Sequence, residues 1–209
     1  MAFDQEYFRR YYGDYERQNP PAKLQRYLDL LRSHAPAGHL LDIGCSYGLF
    51  VGMASTAFPT IGMDVDPAVV AAAAERNPQA TFVAGMLPRI PFQELAAISL
   101  LDVLEHVPEV EAALAAVRAS LKPGGVALVV VPVYDGPLGW LVQLLDRDPT
   151  HLHKCSRQFW LELASRHFEL LTWCGAFRKL LFGSVYLHGF TTVMRGIAPA
   201  LVMLLRRPA

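Results

Sequence analysis

Two acidic residues, each at the end of a short apolar run, are the first candidates for chemistry in this chain. Asp42 closes the run that begins at Leu40 and is followed by Gly44 and Gly48; Asp64 closes a second run that begins at Ile61. Glycine lets the backbone turn tightly or approach a ligand closely because it has no Cβ. Open α/β sheets bind ligands beyond the carboxyl ends of their strands. The pattern predicts a site where carboxylates hold cationic or hydroxyl-bearing groups.

The spacing of the glycines discriminates between cofactors. A dinucleotide fingerprint, G-x-G-x-x-G, requires glycine where this chain has Ser46 and Leu49. The pattern D-x-G-x-G-x-G fits better, with Ser46 as its one substitution. A nicotinamide-dependent oxidoreductase is therefore the weaker alternative, and nicotinamide binding would revive it.

Two later segments make the pattern more specific. Residues 97–108 read A-I-S-L-L-D-V-L-E-H-V-P, and residues 121–125 read L-K-P-G-G before the apolar run 126–131. Together with the glycine turn, these segments closely resemble the class I S-adenosylmethionine-dependent methyltransferases. The resemblance covers residues 38–175.

The resemblance implies S-adenosyl-L-methionine as cofactor and assigns residues to its parts. Asp42, Gly44 and Gly48 would hold the methionine end, within a turn that includes Cys45 and Ser46. Asp64 would bind the ribose hydroxyls. Residues expected to border the adenine are Met63, Val65, Gly85 and Met86, and those expected beneath the reactive sulfonium are Leu101 and Asp102. Asp66 is instead expected to cap the helix that begins at Pro67.

Three histidines are candidates for a general base or for contact with the acceptor: His153, His151 and His106. A base is needed only when the acceptor atom is protonated at neutral pH, as a hydroxyl is. His106 follows the fourth strand, and a structural role in its loop is the alternative. His153 and His151 precede a helix in a connection that borders the acceptor pocket in the resembled fold, and His153 or His151 is preferred for substrate contact.

A metal site is not expected. His151, His153 and Cys155 alternate, and Cys174 would complete a set of four, but the spacing matches no familiar zinc pattern. The cysteine in the glycine turn, Cys45, is expected to pack there as a small apolar side chain.

The elements that must position these residues alternate between strand and helix. Strands are predicted at 39–43, 60–64, 80–84, 96–101, 125–131, 167–173 and 184–193; helices are predicted at 3–12, 21–34, 48–57, 67–76, 109–121, 137–146 and 156–166. This alternation predicts an α/β fold with parallel βαβ units. The resemblance implies a Rossmann-like, seven-stranded, mostly parallel sheet with helices on both faces and the order 3-2-1-4-5-7-6, strand 7 antiparallel.

Three regions are distinguished: an N-terminal helical cap or lid over 1–37, the cofactor-binding domain over 38–195, and an apolar tail over 196–209. The tail has two interpretations. It is either a helix packed on the domain or on a second subunit, or an interfacial segment that touches a membrane or a lipid-like substrate.

Composition limits the partners. The chain has 209 residues, 53% of them hydrophobic, with 19 basic and 19 acidic side chains, and its mean hydropathy is +0.24. A zero net charge gives no indication of nucleic-acid binding. The polar N-terminus, the odd count of three cysteines and the lack of a long apolar run predict a cytoplasmic protein.

The leading hypothesis is methyl transfer to a small-molecule acceptor, with oxygen as the favoured acceptor atom. Two alternatives stay open: a protein that keeps the cofactor site without turnover, and a protein methyltransferase. The first predicts a blocked or apolar acceptor pocket, and the second predicts an open groove.

Overall fold

The fold is an eight-stranded sheet with helices on both faces. The computed structural model describes residues 15–146, 148–181 and 185–209. The strands are β1 Leu40–Ile43, β2 Thr60–Asp64, β3 Thr81–Ala84, β4 Leu95–Leu101, β5 Leu121–Pro132, β6 Glu169–Leu181, β7 Val185–Thr191 and β8 Ala200–Arg206. The helices are α1 Tyr15–Gln18, α2 Pro21–Arg32, α3 Leu49–Ala54, α4 Pro67–Arg76, α5 Val110–Ser120, α6 Gly139–Leu145 and α7 Arg157–Ser165, and a 3₁₀ turn spans Leu104–His106.

The strand order is β3-β2-β1-β4-β5-β8-β6-β7. The first five strands pair in parallel, whereas β8 is antiparallel to β5 and to β6, and β7 is antiparallel to β6. The Rossmann-like α/β prediction is confirmed, but the seven-stranded, mostly parallel sheet is wrong in detail. The antiparallel strand inserted beside β5 comes from the C-terminus, and β7 adds an edge through a hairpin with β6.

The C-terminal segment needs the largest correction. The sequence predicted an apolar tail outside the domain over 196–209, packed as a helix or exposed at an interface; residues 200–206 instead form β8 inside the sheet. Alternate side chains of β8 enter the two faces: Leu201, Met203 and Leu205 on one, Val202 and Leu204 on the other. A strand buried on both faces is apolar throughout. This burial accounts for the apolar composition that had suggested a membrane or subunit contact.

Helices cover both faces of the sheet. On one face α5 and α7 pack against β4, β5 and β8 through side chains that include Leu114, Val117 and Trp160. On the other face α2 and α3 contribute Tyr27, Leu28 and Phe50. Among the described residues no helix is both long and apolar enough to cross a bilayer.

Local signals set several of the helix starts. The Asp66 carboxylate accepts a hydrogen bond from the Ala68 N–H (2.8 Å), and Pro67 occupies the first turn of α4. Ser156 likewise caps α7 by accepting from the Phe159 N–H (3.1 Å). The Asp66 cap was predicted and is confirmed. The helix predicted at 3–12 lies outside the described residues.

Candidate functional site

A cavity of about 400 Å³ lies at the carboxyl end of the parallel strands. Residues at or just beyond the ends of β1, β2, β4 and β5 form its floor, including Ile43, Asp64, Leu101 and Pro132. This is the edge at which parallel α/β sheets bind ligands. The first two helices close one side, since Tyr15, Gln18, Asn19, Lys23 and Leu24 also line the cavity.

The turn after β1 is built from residues with left-handed backbone. Gly44 and Gly48 have φ of 71° and 75°, and Ser46, between them, has φ of 47°. A Cβ on Gly44 would lie 2.5 Å from a methyl group of Val103. Position 44 therefore requires glycine for two reasons: its positive φ, and the clash of a Cβ with Val103. Ser46 adopts a conformation that a side chain disfavours.

Asp64 ties this turn to the end of β2. Its Oδ2 accepts from the Ser46 N–H (2.8 Å) and its Oδ1 accepts from the Asp66 N–H (3.2 Å). The carboxylate is only 6% exposed and lines the cavity. Burial raises its pKa, and the backbone N–H bonds oppose that rise. A carboxylate oxygen has two lone pairs, so each oxygen can still accept from a ligand hydroxyl.

Asp42 is the second buried carboxylate of the cavity and is 3% exposed. The Ser99 hydroxyl donates to its Oδ1 (2.7 Å). Burial raises its pKa from 3.8 to about 7, the Ser99 bond opposes the rise, and the Asp64 charge adds to it. A cation placed between these two carboxylates would favour their charged forms. The site therefore suits a ligand that carries positive charge and hydroxyl groups.

The remaining predicted cofactor contacts divide into two sets. The cavity is lined by Val65, Gly85, Met86, Leu101 and Asp102, as well as by Gly44 and Ser46. Val65 and Met86 are exposed at its rim. Asp102 has a left-handed backbone (φ 58°), and its N–H donates to Val130 O (2.9 Å), which turns the chain at the end of β4.

Cys45, Met63 and Gly48 are absent from the cavity wall. The Met63 carbonyl accepts from the N–H groups of Gly44 and Cys45 (2.8 and 3.1 Å), and both the Met63 and Cys45 side chains are buried. These residues support the turn from behind. Burial raises the pKa of the Cys45 thiol, which fits a packing role.

Two of the three candidate histidines, His106 and His151, line the cavity. Their ring centroids are 4.7 Å apart. Burial lowers the pKa of His106, and the neighbouring His151 lowers it further. Both effects favour the neutral imidazole, which is the form that can accept a proton.

His153, the histidine preferred from sequence, is not part of the cavity wall. Its Nε2–H donates to Val107 O (2.8 Å), and its ring packs edge-on against Trp160. The hydrogen bond from His153 thus links the 150–156 connection to the loop after β4. Its neighbour His151 is the one of the two that lines the cavity.

Sequence reasoning did not assign a role to three further charged residues of the cavity: Lys23, Glu105 and Asp148. Glu105 is 1% exposed, and its backbone carbonyl accepts from the N–H groups of Leu152 and His153 (2.9 and 3.1 Å). The D-V-L-E-H-V segment contained this carboxylate, but only the histidine beside it was interpreted. The Lys23 Nζ donates to Gln18 O and to Asn19 Oδ1.

The zinc alternative built on His151, His153, Cys155 and Cys174 is not supported by the placement of these residues. Within the described ranges, the metal-competent grouping that includes His151 contains Glu105 and His106 and neither cysteine.

Comparison with solved structures agrees with this fold. A SAM-dependent methyltransferase of Thermotoga maritima is 17% identical, with a TM-score of 0.71 and coverage of 97% of this chain and 98% of that one. One from Methanosarcina mazei is 15% identical (TM-score 0.66; 86% and 97% covered). A cyclase is 20% identical (TM-score 0.65; 88% and 80% covered). At such identities the likeness establishes the fold alone.

Comparison by sequence gives information beyond the fold. A search of proteins with curated functions finds no significant match. The family model described as "Methyltransferase domain" matches residues 13–172, more than half of the chain. That stretch contains the glycine turn, Asp42, Asp64, His106 and His151. The chain therefore belongs to the methyltransferase domain family.

Proposed function

We propose that this protein transfers a methyl group from S-adenosyl-L-methionine to an oxygen atom of a small-molecule acceptor. The observation that carries the proposal is the composition of one cavity. It holds the buried carboxylates of Asp42 and Asp64 at the ends of β1 and β2, the His106 imidazole just after β4, and the His151 imidazole from the connection between α6 and α7. The first pair suits a cationic, hydroxylated cofactor, and the second suits an acceptor that must lose a proton.

The carboxylate end fits S-adenosyl-L-methionine in charge and in hydrogen-bonding capacity. Asp64 would accept from the ribose hydroxyls with the lone pairs that Ser46 and Asp66 leave. Asp42 would lie nearer the positively charged methionine end, beside Gly44 of the turn. When bound, the cofactor supplies an electrophilic methyl group on a positively charged sulfur.

The remaining predicted contacts shape the cavity. Val65, Gly85 and Met86 offer an apolar rim for the adenine, while Leu101 and Asp102 lie at the end of β4 between the two halves of the site. α1 and the start of α2 also form part of the wall, which supports a cap role for the N-terminal region. Methyl transfer depends on orientation and exclusion of water, and side chains from these helices would contribute to both.

The acceptor end favours an oxygen nucleophile. His106 is held neutral by burial and lines the cavity, so it can accept the proton of a hydroxyl that attacks the methyl carbon. A volume of about 400 Å³ lies in the usual range of small-molecule sites, about 300–1,000 Å³. This volume must hold the cofactor as well, so the observation that favours a hydroxylated acceptor is the His106 imidazole.

The direct test is methyl transfer to a panel of phenols, catechols, aliphatic alcohols, amines and peptides, followed by the appearance of S-adenosylhomocysteine. We expect turnover with a hydroxylated compound. His106→Asn keeps a side-chain N–H near Thr150 but removes the second ring nitrogen. It should lower kcat by about 100-fold or more if His106 is the base. The exposed His34→Gln is the matched control and should retain full turnover.

A second candidate function has one supporting observation. A cyclase shares this fold, so the fold can serve a reaction other than methyl transfer. Binding of S-adenosylhomocysteine without methylation of any acceptor would favour a cofactor-binding protein without turnover. Methylation confined to the peptides of the panel would favour a protein methyltransferase.

A further inference from the structure

Three metal-ligating side chains converge on the acceptor end of the cavity. Glu105, His106 and His151 each place one ligand atom within 4.8 Å of the others, and all three line the cavity. Glu105 and His106 come from the 3₁₀ turn after β4, whereas His151 comes from the connection between α6 and α7. Elements far apart in sequence thus bring one carboxylate and two imidazoles together.

Hydrogen bonds fix the tautomer of His106. The Thr150 hydroxyl donates its one proton to Asp148 Oδ1 (2.6 Å). It must therefore accept from His106 Nδ1, which lies 2.9 Å away. The Thr150 carbonyl, which can only accept, lies 3.2 Å from the same nitrogen. Nδ1 therefore carries the hydrogen, and Nε2 is the ring atom with a lone pair.

The same logic applies to His151. Tyr134 donates its hydroxyl proton to Asp146 Oδ2 (2.7 Å). His151 Nδ1 lies 2.9 Å from that carboxylate oxygen and 3.1 Å from the Tyr134 oxygen, so Nδ1–H donates to acceptors. Lys154 also pairs with Asp146 (2.9 Å). Burial acts to raise the pKa of Asp146, but bonds from Tyr134, Lys154 and His151 hold it well below its ordinary value.

Both imidazoles thus have the arrangement found at metal centres. A metal-ligating histidine nearly always donates its other ring N–H to a carboxylate or another oxygen, which fixes the ring and its tautomer. Here Asp146 accepts directly from His151 Nδ1–H, and Asp148 is linked to His106 through the Thr150 hydroxyl.

We propose that Glu105, His106 and His151 bind one divalent transition-metal ion, which in turn binds the acceptor's oxygen. Two imidazole nitrogens and one carboxylate form a known donor set for catalytic zinc and for other divalent first-row metals, with open positions left for substrate. The cavity supplies the space for those positions. The inference deepens the proposed function and rests on it, since it specifies a hydroxylated acceptor.

The ion changes how the acceptor is activated. A bound hydroxyl has a lowered pKa, as metal-bound water does, and releases its proton to solvent. The oxygen then forms the new bond to the methyl carbon, and the electron pair of the breaking carbon–sulfur bond stays on sulfur. The products are an ether and a thioether, with one proton released. In this form of the proposed function the ion replaces the His106 imidazole as the group that activates the hydroxyl, and His106 is one of its ligands.

The test is metal binding by the full chain after treatment with a chelator. Zn²⁺ is titrated calorimetrically, and Co²⁺ is followed by its visible absorption, which reports nitrogen and oxygen ligation without any turnover. We expect one ion per chain. His151→Asn keeps a side-chain N–H that can donate to Asp146, and Glu105→Gln keeps the size of the side chain; each should weaken zinc binding by about 10- to 100-fold or more. His34→Gln, on the surface, controls for adventitious imidazole binding and should bind zinc as the unmodified chain does.

The outcomes separate this inference from the proposed function. S-Adenosylhomocysteine binding is measured on the same samples, and it should persist in both variants, which also shows that they are folded. Binding of S-adenosylhomocysteine with no stoichiometric zinc or cobalt binding overturns the metal site and leaves the function standing. Equal zinc affinity in the variants and in the unmodified chain also overturns it. Loss of S-adenosylhomocysteine binding by the unmodified chain would instead contradict the function.

Discussion

The carboxylate of Asp64 accepts a hydrogen bond from the backbone N–H of Ser46 across a separation of 18 residues (2.8 Å). This bond joins the end of β2 to the centre of the turn after β1. The residue proposed to bind ribose therefore also shapes the loop proposed to hold the methionine end. One side chain couples the two halves of the cofactor site.

Replacing Asp64 with Asn should separate these two roles. The amide oxygen can still accept from Ser46, so the turn is kept, but the charge and one acceptor for the ribose hydroxyls are lost. We expect affinity for S-adenosylhomocysteine to fall by about 10-fold or more, since a hydrogen bond to a charged group contributes about 1.5–3 kcal/mol. Isothermal titration calorimetry measures the change.

Asp66→Asn is the matched control for that variant. Asp66 is also acidic and lies two residues away, but its side chain caps α4 and does not line the cavity. Asparagine is an equally good cap, so affinity should stay within about twofold. An equal loss in both variants would mean that Asp64 has no specific role in binding.

The raised pKa of Asp42, about 7, predicts pH-dependent cofactor binding. The cationic end of the cofactor needs the charged carboxylate, which is increasingly protonated as the pH falls through about 7. Affinity for S-adenosylhomocysteine should therefore weaken from about pH 8 to about pH 6. Titrations across this range should show a flatter profile in Asp42→Asn; an unchanged slope would assign the dependence to another group.

The same shift predicts the direction of a stability change in the absence of ligand. Because the folded-state pKa of Asp42 lies above the ordinary value of 3.8, the folded state holds this proton more tightly. The stabilisation is complete below about pH 4 and is lost as the pH rises through about 7. At about pH 8, Asp42→Asn should raise the free energy of unfolding by about 1–4 kcal/mol. Denaturant unfolding at acid and alkaline pH measures it, and a gain confined to acid pH would contradict this sign.

Ser46 is expected to destabilise the turn through its backbone. Its φ of 47° is costly for a residue with a Cβ, by about 1–2 kcal/mol. Ser46→Gly should raise the free energy of unfolding by up to about 1 kcal/mol. The gain is smaller than the relieved strain because glycine also increases the entropy of the unfolded chain.

Ser46→Ala distinguishes strain from the loss of the hydroxyl. Alanine keeps the Cβ, so it should show no such gain in denaturant unfolding. A gain of similar size in both variants would show that removal of the hydroxyl, rather than relief of the backbone, is responsible.

Burial of β8 inside the sheet predicts a large cost for truncating it. Leu204 is 1% exposed, and Leu204→Ala should lower the free energy of unfolding by about 2–5 kcal/mol. Val193→Ala is the control; that side chain is 92% exposed, and its loss should change stability by less than about 0.5 kcal/mol. Similar small effects at both positions would contradict the placement of β8 in the core.

Much of the region that carries the proposed cofactor site could be predicted, because the sequence patterns that specify its strands and turn span few residues. A short apolar run ending in an acidic residue and followed by glycine specifies a strand and a tight turn within about ten residues. The structure places Asp42 and Asp64 at the expected strand ends. The C-terminal strand could not be predicted in this way, because the apolar run over 200–206 lacks a period and fits a buried helix or a buried strand equally.

The arrangement of side chains at the proposed acceptor end could not be predicted in the same way, because it depends on contacts between residues distant in sequence. His151 and His153 differ by two positions in an irregular connection, where no periodicity tells which side chain faces the cavity. Tyr134 and Asp146 hold His151 beside His106, while the Val107 carbonyl holds His153 away from them. The role of Glu105 is equally non-local, since it depends on a histidine 46 residues later.

The measurement that tests the account most directly is calorimetric titration of the unmodified protein with S-adenosylhomocysteine. We expect one molecule to bind per chain with micromolar affinity at about pH 8, where Asp42 is charged. Absence of binding at millimolar ligand, with the protein shown to be folded, would contradict the assignment of the cavity as a cofactor site and the methyl transfer proposed from it.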